Sequence, residues 1–194
     1  MRIAIVKYNA GNTASVANAL GRLGAHPIVT DDPEVLASAD KVIFPGVGEA
    51  SSAMKHLREH GLAQVIESLK QPVLGICLGM HLLCESSEEN GADCLGILPY
   101  RVRRFGGNGL KVLHTGWNTI NDLRSRLFDG IAEREHFYFV HGYFVETGNE
   151  TTASCTYGEA FSAAIQHENF YAVQFHPEKS GDAGRKVLEN FLNL

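Results

Sequence analysis

The sequence predicts an α/β fold built on an open, mixed and mostly parallel sheet with helices on both faces. Over the first 90 residues, segments that are apolar throughout alternate with segments of helical periodicity. Strands of that composition are typical of parallel sheets covered by helices. After Asn90 several strand-like segments follow one another, which adds strands of mixed direction. Because the 194 residues are 44% hydrophobic and hold no linker, we expect one domain spanning residues 1–194.

The first half is predicted to contain four strands and five helices, from runs of β-branched residues and from apolar residues at helical spacing. The strands are residues 2–6, 26–30, 41–45 and 72–76. The helices are residues 14–25, 32–39, 50–59, 62–70 and 78–87. Thr13 and Asp32 are residue types that cap helix N-termini, and the third strand is expected to end at Pro45.

The second half is predicted to be rich in strands and to end in a helix. Its strand-like segments are residues 97–105, 116–120, 137–146, 151–158 and 161–175. The last segment is expected to form a hairpin that turns at Glu168 and Asn169. The final helix, residues 180–194, carries an apolar stripe made of Val187, Leu188, Phe191 and Leu192.

Composition excludes several classes of function. A net charge of −5 and a pI near 6.0 argue against a nucleic-acid surface or an anionic membrane partner. No apolar run reaches the roughly 20 residues that a membrane span needs, and the N-terminus lacks a signal-peptide core, so a cytosolic location is expected. The four cysteines are then free thiols. Zinc at His81, Cys84 and Cys94 is not expected, because the set lacks a CxxC pair.

The segment "GICLGM" places Cys77 between a predicted strand and a predicted helix, flanked by Gly75 and Gly79. This is the pattern of a nucleophile elbow with cysteine in the serine position. The glycines permit a tight turn, and the next backbone N–H can stabilise an oxyanion. The alternative is a buried structural cysteine, because cysteine is among the most frequently buried residues.

The segment "YAVQFHPEKS" ends an apolar strand with His176, Pro177 and Glu178. A carboxylate two residues after a histidine can hold the imidazole in one tautomer and stabilise its cation. The alternative is an ordinary loop before the last helix, with Glu178 favourable at a helix start. The two motifs together favour a Cys77–His176–Glu178 triad, and the other histidines look ordinary.

A third segment, "FPGVGEA", ends a strand and enters a helix. Its glycines allow backbone N–H groups to turn towards a ligand and to hold an oxyanion. The signal is weak alone, because such turns often need glycine. In an open α/β sheet, however, all three segments lie at the C-terminal edge of the strands, where binding sites form.

These motifs resemble those of the class I, or triad-type, glutamine amidotransferases, which have a flavodoxin-like fold. The motifs "YNAGNTASV", "PGVGEASSAM", "GICLGMHLL", "SSEENG", "HTGWN", "FYFVHGY" and "QFHPEKSG" span residues 8 to 181. In order and spacing they are similar to those of the glutaminase subunits of imidazole glycerol phosphate synthases. This resemblance implies an enzyme of histidine biosynthesis that needs no cofactor.

The resemblance also implies roles for individual residues. Cys77 attacks the amide carbon of glutamine, His176 accepts its proton, and Glu178 orients His176. The oxyanion is held by the N–H of Leu78 and by a backbone N–H of Val47 or Gly48, with a peptide flip at Gly46 or Gly48 as the switch. The implied substrate-binding residues are Gly46, His81, Glu89, His141, Gly142 and Tyr143. At position 81 the family commonly has glutamine, so this chain departs from the pattern.

The implied partner is a (β/α)₈-barrel cyclase, which forms a heterodimer with the glutaminase and uses its ammonia. The cyclase converts PRFAR to imidazole glycerol phosphate and AICAR. Residues that match positions at or near the interface are Asn12, His114, Trp117, Asn118 and Lys179. Two alternatives stay open: a glutaminase that serves another ammonia-using synthase, and a non-catalytic flavodoxin-like module with a reactive or structural thiol.

Overall fold

The computed structural model describes residues 1–106 and 109–194. The strands are β1 (Ile3–Val6), β2 (Ile28–Thr30), β3 (Lys41–Gly46), β4 (Val73–Cys77), β5 (Cys84–Ser87), β6 (Ala92–Asp93), β7 (Leu98–Arg104), β8 (His114–Thr119), β9 (His136–His141), β10 (Tyr143–Val145), β11 (Thr151–Tyr157), β12 (Glu159–His167) and β13 (Phe170–Val173). The helices are α1 (Thr13–Gly21), α2 (Pro33–Ser38), α3 (Ala50–Glu59), α4 (Leu62–Ser68), α5 (Leu78–Leu83) and α6 (Gly181–Leu192). Short 3₁₀ turns cover Glu89–Gly91, Arg126–Phe128 and Pro177–Lys179.

A central sheet of seven strands carries the fold, in the order β11-β12-β13-β4-β3-β1-β2. Strands β13, β4, β3, β1 and β2 run parallel, whereas β11 and β12 add antiparallel pairings at one side. A four-stranded sheet (β10-β7-β5-β6) and the β8–β9 ribbon complete the described part of the chain. The prediction of an open, mixed and mostly parallel sheet is confirmed.

Two hydrophobic clusters cover the opposite faces of the central sheet. Along β4, Val73 belongs to the cluster under α2, α3, α4 and α5, and Leu74 belongs to the cluster under α1 and α6. Along β3, Phe44 belongs to the first of these clusters and Ile43 to the second. Successive side chains of a strand point to opposite faces, so strands that are apolar throughout serve both clusters. This explains why the strand segments lack polar alternation.

The predicted end of the third strand at Pro45 is wrong, because β3 continues to Gly46. The β1–β3 register ends at Ile43, whereas β3 stays paired with β4 until Gly46 meets Cys77. Pro45 therefore lies beyond the last β1 partner, where its missing N–H is tolerated. As a result, the "PGVG" segment begins beside the end of β4.

The predicted helix 78–87 is also too long, because α5 ends at Leu83 and residues Cys84–Ser87 form β5. Strand β5 pairs with both β6 and β7, and this tertiary pairing overrides the local helical pattern. The predicted N-cap of α1 is displaced by one residue, since Asn12 precedes a helix that begins at Thr13.

Other predictions agree with the structure. Asp32 caps α2 by accepting hydrogen bonds from the N–H groups of Glu34 and Val35. Strands β12 and β13 form the expected hairpin, which turns through Glu168 with a φ of 50° and Asn169. Across residues 1–106 and 109–194, no helix has the length and apolar character needed to cross a bilayer.

Candidate active site

The turn from β4 into α5 presents Cys77 in a strained backbone conformation. Cys77 has φ 53° and ψ −110°, a combination that non-glycine residues rarely adopt. Its flanking glycines serve a different purpose from the one predicted, since neither has a positive φ. A Cβ on Gly79 would lie 1.8 Å from the carbonyl oxygen of Phe44, so glycine is needed for α5 to pack directly on β3. The strain is therefore borne by the cysteine itself.

His176 and Glu178 reach the same edge of the sheet because β13 runs parallel to β4. Val173 pairs with Ile76, so both strands end side by side. The Nδ1 atom of His176 and the Oε1 atom of Glu178 are 2.8 Å apart, and both side chains are only 1% exposed. The Ser180 hydroxyl donates to the carbonyl oxygen of His176 and fixes the turn. The predicted base and carboxylate therefore form one buried pair.

The electrostatics of this pair favour a protonated imidazole. Burial alone lowers the pKa of His176, but hydrogen bonding and charge from Cys77 and Glu178 outweigh it and raise the pKa to about 10. The Nε2 atom of His176 is buried and makes no hydrogen bond of good geometry within the described residues. It is thus available to exchange a proton with the thiol or with a bound ligand.

Cys77 opens onto a cavity of about 310 Å³. The sulfur lies 3.9 Å from the carbonyl oxygen of Val140 and 3.9 Å from Nε2 of Gln174. The cavity is lined by Val47, Gly48, Cys77, Leu78, His81, Glu89, Leu113, Val140, His141, Gly142 and Tyr143. Nine of these eleven residues were predicted as site residues from the sequence. The structure therefore brings five separate stretches of the chain to one cavity.

The "PGVG" segment forms the wall of the cavity beside Cys77. The Tyr8 hydroxyl donates to the carbonyl oxygen of Pro45 at 2.8 Å and fixes the end of β3. Gly46 lies behind this wall, where an added Cβ would be 2.3 Å from the Tyr8 oxygen. Gly48 has a φ of 109°, which L side chains rarely adopt. Gly46 is thus required for space and Gly48 for its backbone conformation.

Glu89 supplies a carboxylate to the lining of the cavity. Its Oε2 atom accepts a hydrogen bond from the N–H of Ala50 at 2.8 Å, at the start of α3. Partial burial raises the pKa of this carboxyl group. A carboxylate held in this way can pair with a cationic group of a ligand, which composition alone did not indicate.

His141 and His114 form a hydrogen-bonded pair that no sequence motif indicates. His141 Nδ1 lies 2.7 Å from the carbonyl oxygen of Tyr143, so it donates, and Nε2 accepts from His114 Nδ1 at 2.9 Å. His114 Nε2 in turn accepts from the Asn118 amide at 3.2 Å. Burial lowers the pKa of His114 to about 4 and that of His141 well below its usual value. Both rings are therefore neutral, and they join the paired strands β8 and β9.

Comparison with known proteins decides the family. The family described as "Glutamine amidotransferase class-I" matches residues 4–194. The chain belongs to the class I glutamine amidotransferase family. The imidazole glycerol phosphate synthase subunit HisH of Bacteroides fragilis is 55% identical, and that of Escherichia coli K12 is 48% identical. In both comparisons the alignment covers 100% of each protein.

Solved structures agree on the fold of this amidotransferase. The structure of PurLQS from Thermotoga maritima superposes with a TM-score of 0.76 at 18% identity, covering 99% of this chain and 97% of that chain. A crystal structure described as glutamine amidotransferase gives the same TM-score at 20% identity, covering 98% and 97%. The predicted class I amidotransferase fold is thereby confirmed, and the family match with the two HisH relatives confirms a glutamine amidotransferase activity.

The residues that were matched to a partner interface differ in how much of each side chain is exposed. Trp117 is 56% exposed, so it is not a core residue. Lys179 is exposed, Asn12 is partly buried, and Asn118 bonds both His114 and the carbonyl oxygen of Thr156. The His114 ring is buried, so its side chain faces the interior of this amidotransferase.

Sequence reasoning missed several residues of the site. Gln174 is fully buried between His81 and Cys77, and Leu113 and Val140 line the cavity. A signal for Gln174 was present, because it is a polar residue inside the apolar run "FYAVQF". A polar side chain at a buried position needs a partner, but the sequence alone does not identify that partner.

Proposed function

We propose that this chain is the glutaminase subunit of an imidazole glycerol phosphate synthase and that Cys77, His176 and Glu178 are its catalytic residues. One observation carries the proposal: Cys77 stands on a strained turn at the same sheet edge as the buried His176–Glu178 pair and opens onto a cavity. The full-length similarity to proteins named as subunits of that synthase supports the choice among amidotransferases.

The reaction follows from these three side chains. With the thiol proton held by His176, as its raised pKa favours, the Cys77 sulfur attacks the amide carbon of glutamine. Collapse of the tetrahedral intermediate breaks the C–N bond, and the proton on His176 passes to the departing nitrogen, which leaves as ammonia. A γ-glutamyl thioester remains on Cys77. Water, deprotonated by His176, then attacks the thioester and releases glutamate. Glu178 holds the imidazole and stabilises its cation throughout.

The negative charge of the tetrahedral intermediate needs hydrogen-bond donors. We assign this role to the backbone N–H of Leu78, which follows the nucleophile, and to the N–H of Val47 or Gly48 in the facing wall. Loss of one such donor typically costs about 3–4 kcal/mol of transition-state stabilisation. The φ of Gly48 allows a peptide rotation that other residues resist, so this wall can act as a switch.

The remaining cavity residues suit the amino-acid end of glutamine. Glu89 provides a carboxylate for the α-ammonium group, and the backbone of His141, Gly142 and Tyr143 contacts the α-carboxylate. His81 faces the reacting amide, and Gly46 keeps space behind the oxyanion wall. All of these groups belong to rigid elements around one cavity, which positions the amide carbon for attack.

The ammonia passes to a (β/α)₈-barrel cyclase, which forms a heterodimer with this chain and converts PRFAR to imidazole glycerol phosphate and AICAR. The exposed Trp117 and Lys179 are the proposed centre of the contact surface, with Asn12, His114 and Asn118 at or near it. Residues 1–194 act as one glutamine amidotransferase domain, consistent with the family match over 4–194. A cytoplasmic location suits a reactive thiol, because reducing compartments keep it free.

Glutamate release from glutamine tests this proposal, first with the chain alone and then with a cognate cyclase and its nucleotide ligand. We expect slow release alone and a large increase in the complex, abolished by Cys77→Ser. Stimulation by a different synthase but not by the cyclase would assign the chain to another pathway. No release under any condition from a folded complex would favour the non-catalytic thiol module.

A further inference from the structure

The side chain of Gln174 connects His81 to the nucleophile. Its Oε1 atom lies 2.7 Å from Nε2 of His81, and its Nε2 atom lies 3.9 Å from the Cys77 sulfur. Gln174 is fully buried and His81 is 4% exposed, so bulk water does not compete for these groups. Its backbone N–H donates to the carbonyl oxygen of Ala163, which fixes the residue at the end of β13. In this orientation the amide oxygen faces His81 and the amide N–H group faces the sulfur.

This orientation determines the tautomer of His81. An amide oxygen only accepts hydrogen bonds, so Nε2 of His81 must carry the hydrogen. A neutral imidazole has one N–H, and Nδ1 is therefore left with a lone pair. Burial lowers the pKa of His81 to about 4, so the ring stays neutral near pH 7. Within residues 1–106 and 109–194, Gln174 is the hydrogen-bond partner of this ring, and His81 lines the cavity.

We propose that His81 is a specificity-determining residue that presents a fixed hydrogen-bond acceptor, Nδ1, to the reacting end of the ligand, and that Gln174 is the positioning residue that fixes it. This inference rests on the proposed glutaminase function. The carboxamide of glutamine has two N–H donors and can satisfy Nδ1. The γ-carboxylate of glutamate has none, so it places an acceptor against an acceptor.

The consequence is weak binding of the product. Glutamate differs from glutamine only at the group that His81 faces, and a buried acceptor without a donor is costly. A glutamine side chain at position 81 would lack this selectivity, because its amide can rotate and donate an N–H to a carboxylate. His81 thus makes the enzyme prefer substrate to product more strongly than a glutamine at the same position would.

The test compares wild type with His81→Gln, both in complex with the cyclase. KM for glutamine and the inhibition constant Ki for glutamate are measured under identical conditions. We expect the ratio of Ki to KM to fall about tenfold in the variant, in line with the strength of hydrogen bonds to charged groups. His56→Gln, the same substitution on the surface of α3, is the matched control and should leave the ratio unchanged. An unchanged ratio in an active His81→Gln enzyme would overturn the proposal.

Two further measurements separate this inference from the proposed function. Calorimetric titration with glutamate reads product binding without turnover, and tighter binding to His81→Gln is expected. Nitrogen-15 NMR of wild type should show His81 protonated at Nε2 and bare at Nδ1, with this signature lost in Gln174→Leu. A wild-type ring protonated at Nδ1 would overturn the inference even if glutamine is hydrolysed. Absence of hydrolysis with the expected tautomer would instead contradict the proposed function alone.

Discussion

Two buried histidines are linked to Cys77, His176 through its charge and His81 through Gln174, and they differ sharply in protonation. His176 follows β13 and His81 lies in α5, and their exposed fractions are 1% and 4%. The pKa of His176 is raised to about 10, whereas that of His81 is lowered to about 4. Burial lowers the pKa in both cases. Only His176 has a carboxylate and a thiol as partners, whereas the partner of His81 is a neutral amide.

The difference shows that the partner of a buried histidine, and not its burial, decides its chemistry. A charged neighbour stabilises the imidazolium ion and makes His176 suited to carry a proton. The hydrogen bond to an uncharged amide raises the pKa of His81 too little to offset burial, so the ring stays neutral, and the amide oxygen fixes its tautomer. The same residue type thus suits two proposed roles, that of a proton carrier at His176 and that of a hydrogen-bond acceptor at His81.

The same substitution at the two histidines should give the largest contrast. We expect His176→Gln to lower kcat for glutamate release by about 10³-fold or more, because the proton carrier is lost. His81→Gln should lower it far less, because the ring takes part in no proton transfer. Steady-state kinetics of both variants in the cyclase complex provides the measurement. Similar losses in the two variants would remove the distinction between them.

The carboxylate of Glu178 should account for most of the difference in protonation. Glu178→Gln replaces a charged partner by an amide, like the one that His81 has, at nearly the same volume. We expect the pKa of His176 to fall from about 10 towards its ordinary value and kcat to fall by roughly 10²- to 10⁴-fold. Nitrogen-15 NMR titration and kinetics measure the two effects. Glu189→Gln, on the surface of α6, is the control, and a pKa that does not change in Glu178→Gln would contradict this explanation.

The two histidines should also affect the free energy of unfolding in opposite ways as the pH changes. The unfolded chain protonates His81 below pH 6.5 and the folded chain only near pH 4, so stability falls as the pH drops through this window, by roughly 3 kcal/mol. The pKa of His176 is higher in the folded chain, about 10, than in the unfolded chain, about 6.5. The stabilisation that His176 provides is therefore complete below pH 6.5 and is lost as the pH rises through about 10.

Urea unfolding across pH tests this contrast. His81→Gln should reduce the acid-side loss of stability, although His114 and His141 leave part of it, because burial lowers their pKa values too. His176→Gln should reduce only the alkaline-side loss. The surface variant His56→Gln should change neither. Equal effects of His81→Gln and His176→Gln on both sides would contradict the assigned protonation states.

The smallest expected effect concerns the uncharged hydrogen bond between Tyr8 and Pro45, near Cys77. Tyr8→Phe removes the hydroxyl that donates to the carbonyl oxygen of Pro45. We expect a loss of about 1 kcal/mol in the free energy of unfolding, as for an uncharged hydrogen bond. Tyr138→Phe, at a partly exposed ring, should change stability by less than about 0.5 kcal/mol. If Tyr8→Phe is as stable as wild type, the hydroxyl does not hold the end of β3.

The grouping of the proposed catalytic residues at one sheet edge could be predicted from the sequence because their geometry is local. His176 and Glu178 are two residues apart, and Cys77 sits at a strand end whose neighbours follow from the parallel order of the sheet. His81 and Gln174 are 93 residues apart, and their bond depends on the exact packing of α5 against β13. The His114–His141 pair likewise depends on the β8–β9 register. Strand β5 was missed because its pairing partners, not its own residues, make it a strand.

The covalent state of Cys77 during turnover tests the proposed mechanism most directly. The cyclase complex is mixed with glutamine, quenched in acid within the first turnovers, and analysed by peptide mass spectrometry. We expect a γ-glutamyl thioester on the peptide that contains Cys77, which accumulates only in the complex and is absent from Cys77→Ser. A thioester on Cys84, Cys94 or Cys155, or steady glutamate release from Cys77→Ser, would contradict it.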